Sequence, residues 1–121
     1  MRNADRQKAL RRLDRELRHF RLAAKVKDPT EDLLRAVRQA LGIPMAEIAR
    51  KMKSNPSVIF RLERSQARGT ISLKALVRLA DAMECEVVYA VVPQDGKTLE
   101  QLAERRLWEK ALGSEGRGNR E

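Results

Sequence analysis

The chain has 121 residues, 42% of them hydrophobic and 36% charged, and its 26 Lys and Arg against 17 Asp and Glu leave a formal net charge of +9. That length carries one modest helical core and excludes a two-domain enzyme with a deep cleft. The lone cysteine, Cys85, excludes an internal disulfide, and with the lone histidine, His19, it falls short of the three or four ligands of a zinc site.

The basic excess is concentrated at the start. Residues 1–27 hold ten basic and three acidic side chains, whereas residues 94–121 hold six of each. Leu10, Leu13, Leu17, Phe20 and Ala24 recur at spacings of three and four, which predicts an amphipathic helix, with Arg11, Arg12, Arg15, Arg18 and Arg21 around the rest of its circumference. Such a helix has three readings: packed on the body with a solvated basic face, an arm for nucleic acid, or a membrane-surface helix. No apolar run approaches the roughly 20 residues that span a bilayer, and no secretory signal is visible, so a reducing, cytoplasmic setting is expected.

Asp28-Pro29-Thr30-Glu31 reads as a helix start, with Asp28 as N-cap and Glu31 completing a capping box. Leu33, Leu34, Val37, Ala40 and Leu41 form the apolar stripe of that second helix, and Gly42 and Pro44 end it. A two-turn helix follows over 46–52, with Ala46, Ile48, Ala49 and Met52 apolar; it is too short to persist without a neighbour. Ser54-Asn55-Pro56 breaks the chain, with Asn55 suited to an N-cap and Pro56 to the first position of a helix over 56–65. In that helix Ile59 and Leu62 face inward while Ser57, Arg61 and Arg64 lie off that face. Two short helices joined by about four residues have the form of a helix-turn-helix.

Ser72 is expected to cap a further helix that buries Leu73, Leu76, Val77, Ala80 and Met83. Val87-Val88-Tyr89-Ala90-Val91-Val92 is an unbroken apolar, largely β-branched run ended by Pro93, which predicts a strand. With no second strand in the chain to pair with, these six residues are expected to dimerise with another copy or, less favoured, to join another protein. Thr98 to Leu112 is again helical in period, with Leu99, Leu102, Ala103, Leu107 and Ala111, and residues 113–121 are expected to be disordered. Cys85 reads as a buried, inert thiol, Glu63 as a structural partner for a helix end or an arginine, and Trp108 as packed on the body or on a second copy. The expected division is a basic helix over 1–27, a DNA-binding domain over 28–84, a strand and helix for dimerisation or partner contact over 85–112, and a tail.

The stretch Ile48 to Glu63, IARKMKSNPSVIFRLE, resembles the helix-turn-helix of the Cro/repressor (Xre) family, with Ile48-Ala49 opening the pattern and Ile59, Arg61, Leu62 and Glu63 closing it. Over roughly residues 6–110 the chain is also similar to the bacterial mobile mystery protein A subfamily, through RQKALRRLDRELRHFRLAA, LLRAVRQALGI and LERSQARGTISLKALVRLADAMECEVVYAVVP. The resemblance implies a mainly α, Xre-type bundle with an N-terminal amphipathic helix, one C-terminal strand and a C-terminal helix. It also implies a gene beside that of a Fic-domain protein, in the arrangement of a toxin with its antitoxin. The Ser/Thr-x-x-x-Glu-Gly/Asn pattern of an inhibitory helix, by which some Fic domains are silenced, has no instance in the chain.

The sequence departs from the family pattern at the reading end. Lys53 stands where the turn usually has Gly, Pro56-Ser57-Val58 replaces a Gln and a small polar residue, and Phe60 replaces a small one. Candidate DNA contacts are therefore Lys51, Lys53, Asn55, Ser57, Val58, Phe60, Arg61 and Arg64. Arg61 is the side chain able to read guanine bidentately, Ser57 suits a base edge or a phosphate, and Val58 and Phe60 suit a thymine methyl or extra core. Lys51, Lys53 and Arg64 suit phosphates.

Two functions fit. One is a dimeric, sequence-specific repressor of its own operon; the other is an antitoxin that holds a Fic-type toxin and binds DNA weakly or not at all. An enzyme fits worst, because no catalytic, metal-binding or phosphate-cradling constellation is present, and no catalytic residue or cofactor is expected.

Overall fold

The computed structural model describes residues 2–24 and 32–116, the side chains of 114–116 excepted. The expected capping box at 28–31 and the end of the tail, 117–121, lie outside the described residues. Seven α-helices occur among the described residues: α1 (Asn3–Glu16), α2 (Arg18–Ala23), α3 (Leu33–Ala40), α4 (Met45–Lys51), α5 (Pro56–Arg68), α6 (Leu73–Ala82) and α7 (Leu99–Gly116). The chain divides into two compact units, residues 28–89 and residues 1–27 with 90–121.

In the 28–89 unit, Ile48, Ile59 and Leu79 are 0% exposed and meet Leu34, Ala49, Ala82 and Met83 in one core. Four successive helices close alike. Gly42 (φ 70°), Lys53 (φ 54°), Gly69 (φ 78°) and Glu84 (φ 61°) each adopt the left-handed conformation. The next residue's N–H then turns back to a carbonyl five positions earlier: Ile43 to Arg38, Ser54 to Ala49, Thr70 to Ser65 and Cys85 to Ala80, at 2.8 to 3.0 Å. These bonds satisfy carbonyls that a helix end otherwise leaves without a partner. The turn after α4 thus forms with Lys53 in the position that glycine fills more cheaply. The helix starts are capped as well. The Asn55 side chain accepts from the Val58 N–H and the Ser72 hydroxyl from the Ala75 N–H. Asp32 makes no side-chain cap for α3; Gln66 Oε1 accepts from the Leu34 N–H at 3.0 Å in its place.

Several expectations are corrected here. No strand is present among the described residues, and 87–92 has no regular secondary structure. Its apolar, β-branched residues have the side chains of a strand, but a strand exists only where a second segment completes its hydrogen-bond ladder. Helix α6 buries Leu79 and Ala82 while Leu73 and Val77 are exposed. A stripe at 76, 79, 80 and 83 obeys the helical period as well as the expected one, and packing against α4 selects between them. In α3, Leu33 and Leu41 are exposed and Arg38 is buried. Cys85 is only half-buried, its Sγ 3.5 Å from the Met83 carbonyl.

In the second unit the N-terminal segment is two helices, broken at Leu17 (φ −95°, ψ 4°). Leu10, Leu13, Leu17 and Phe20 are half-buried, and α1 packs on α7. All the first N–H groups of α7 find acceptors. Asp14, buried on α1, accepts from the Leu99 N–H at 2.7 Å and the Glu100 N–H at 3.2 Å. Thr98 and Gln101 exchange side-chain and backbone bonds at 2.9 and 3.1 Å, and the Leu102 N–H reaches the Thr98 carbonyl. Arg21 donates to the Asp14 carbonyl at 2.8 Å and lies 3.6 Å from its carboxylate. Helix α7 continues through residues 113–116 of the expected tail.

Candidate nucleic-acid interface

The orientation of α5 is set by its inner side. Ile59 and Glu63, one turn apart, are buried, and the Glu63 carboxylate takes two bonds from Arg38 on α3: Nε to Oε2 at 2.5 Å and Nη2 to Oε1 at 3.2 Å. Arg38 Nη1 also donates to the Ile43 carbonyl at 3.1 Å, so one guanidinium ties α3, the α3–α4 turn and α5 together. A planar, multidentate donor suits this position; a lysine would supply no such fork. Glu63 thus holds an arginine, one of the roles expected of it.

With that side fixed, Ser57, Phe60, Arg61 and Arg64 fall on the outward side of α5, at spacings of three and four, and all are exposed. The Arg64 guanidinium lies 5.6 Å from the centre of the Phe60 ring, which holds the charge over an aromatic face. Phe60 is 48% exposed, so it belongs to this surface and is not extra core; Val58 is half-buried.

The other expected contacts are placed differently. The Asn55 side chain is occupied as the cap of α5 and also accepts from the Ser57 hydroxyl at 2.5 Å. Lys51 donates to the Ala82 carbonyl at 3.1 Å and lies 4.0 Å from Glu47, so its ammonium anchors the end of α6. Lys53 is exposed in the turn. The six residues 87–92 are not gathered into one face: Val88, Tyr89, Ala90 and Val91 are exposed, and Val87 and Val92 are half-buried.

Sequence reasoning missed two basic residues. Arg35 on α3 and Arg68 at the end of α5 line a groove of about 550 Å³ together with Phe60, Arg64 and Met45. For Arg68 the signal was available, since it extends the spacing of Arg61 and Arg64 by another turn. Arg35 is brought there by the α3–α5 packing alone.

Among the described residues no cluster of His, Cys, Asp and Glu could hold a metal ion, and no helix is long and apolar enough to cross a membrane. No curated protein and no solved structure matches the chain. Residues 34–89 match the model of the Helix-turn-helix family, a span that takes in α3 to α6 and the whole outward side of α5. Over that span the chain carries a helix-turn-helix domain.

Proposed function

We propose that this protein is a sequence-specific DNA-binding regulator that represses its own operon as a homodimer, each α5 lying in one of two successive major grooves about 34 Å apart. One observation carries the reading: Arg61, Arg64, Ser57 and Phe60 stand exposed on the outward side of a helix whose inner side is locked by Ile59 and by the Arg38–Glu63 pair. Arg61 reads a guanine edge, Ser57 contacts a base edge or phosphate, and Phe60 and Val58 contact a thymine methyl. Arg64 and Lys53 serve the phosphates, Asn55 fixes the start of α5 at the DNA surface, and Lys51 holds the end of α6. The likeness of residues 6–110 to mobile mystery protein A supports an antitoxin-like, bacterial regulator associated with the nucleoid, with a Fic-domain toxin as a second partner.

The test is binding to DNA from the gene's own upstream region against a scrambled fragment in about 0.15 M salt, where nonspecific contacts are weakened. A preference of about a thousandfold is expected. Equal, weak binding to both overturns the reading and leaves a scaffold that holds a protein partner. Arg61→Ala is expected to cost about 1–3 kcal/mol on the upstream fragment and less on the scrambled one. Equal loss on both moves Arg61 to the phosphates.

A further inference from the structure

Helix α7 is apolar on two sides, and α1 covers one of them. Leu99, Leu102 and Ala103 line the α1–α7 groove with Leu10 and are half-buried. At 100° per residue, Trp108, Ala111 and Leu112 fall on the opposite side, whereas Leu107 borders the α1–α7 groove. Leu107, Trp108 and Leu112 are 70%, 64% and 66% exposed, and a groove of about 620 Å³ beside Trp108 continues the surface to Val92 and Pro93. A helix with apolar residues on both sides leaves large apolar side chains in water unless both are covered.

The charges along this side point to the cover. Arg105 and Glu109 are one turn apart at one edge and 3.6 Å from each other. An edge with both signs at that spacing is complementary to its own reverse. In an antiparallel two-fold pairing about Leu107, each Arg105 meets the partner's Glu109, and both contacts arise from one operation. Helix α1 carries one such pair, Arg12 with Glu16 at 3.4 Å, but its apolar side already packs on α7.

We infer that the Trp108–Leu112 side of α7 binds the same side of a second copy, antiparallel, with Trp108 as the central anchor. This rests on the proposed function only for its use, which is to present two copies of α5; the pairing itself exists without DNA. Trp108 is the sole tryptophan, so its emission reports the surface directly.

The experiment is sedimentation of the full chain without DNA over roughly 1 to 100 µM, with Trp108 emission recorded on the same samples. A monomer–dimer equilibrium is expected, with emission shifting to shorter wavelength as the dimer forms. Trp108→Glu should weaken it about tenfold or more. Arg105→Glu and Glu109→Arg, both on the exposed edge and checked for helix content by circular dichroism, should each weaken self-association. Mixed together they should form a heterodimer, because the edges are then all acid against all base. A monomer at every concentration, a dimer indifferent to these substitutions, or a monomer whose Trp108 already emits as a buried residue overturns the inference. A monomer that still prefers its upstream DNA overturns this inference alone, whereas an intact dimer with no DNA preference overturns only the proposed function.

Discussion

Residues 28–89 and the unit made of 1–27 with 90–121 hold short helices together by different means. The first has an apolar centre, with three side chains wholly removed from water, and places its one buried ion pair beside it. Among the described residues of the second, none of the buried hydrophobic core residues occurs; its buried charged side chain, Asp14, caps a helix, and Leu10, Leu13, Leu17, Leu99 and Leu102 are half-covered. Burial of apolar surface is the larger and less directional contribution, whereas a cap supplies orientation and about one hydrogen bond's worth of stability per N–H. Both units leave large apolar side chains in water, Leu41, Leu73 and Val77 in the first and Leu107, Trp108 and Leu112 in the second; the contrast teaches that what separates them is a closed core, not a covered surface.

The largest effect that sharpens this contrast is expected from Glu63→Ala, which strands the Arg38 guanidinium in the interior and should cost roughly 3–5 kcal/mol in denaturant unfolding. Replacing both partners with apolar residues, Arg38→Met with Glu63→Leu, should restore most of that loss. If the single and double variants are equally unstable, the pair matters for its shape and not for its charge. Next, Ile59→Ala should cost about 2–5 kcal/mol, and Leu13→Ala clearly less, because a half-buried leucine leaves a smaller cavity. Equal losses would break the comparison between the two units.

Asp14→Ala removes the acceptor from the Leu99 and Glu100 N–H groups, and a cost of about 1–3 kcal/mol is expected. Amide exchange should locate it: Leu99 and Glu100 lose protection while Ile59 keeps its own. The smallest effect has the opposite sign. Lys53→Gly and Glu84→Gly each relieve a left-handed backbone and should stabilise the 28–89 unit by about 0.5–1 kcal/mol. Only Lys53→Gly should also weaken DNA binding, which separates a phosphate contact from a turn.

Much of the helix-turn-helix was legible because its signals are local. Pro56 after Asn55, Ser72 before an apolar period, and Gly42 before Pro44 act through neighbouring backbone, and each of these turns or caps is found. Glu63 as a structural residue was legible in the sequence, but its partner was not, since Arg38 lies 25 positions earlier and nothing in a helical period marks one arginine for burial. The stripe of α6 was legible at Leu76, Ala80 and Met83 but not at Leu73 and Val77, which are exposed while Leu79 and Ala82 are buried, because only the neighbouring helix decides where the stripe is centred. The expected strand failed for a related reason, as strand propensity belongs to side chains and a strand to a pair of backbones.

The sequence by itself determined the helix-turn-helix, its turns and caps, and the arginines exposed along α5, because these depend on residues within one or two turns of each other. Only the tertiary structure decided that Arg38 locks α5, that Lys51 holds the end of α6, that Asp14 caps α7, and that Trp108 stands in solvent. Each of those is a meeting of residues distant in the chain, made specific by directional hydrogen bonds and by which apolar side the packing uses first.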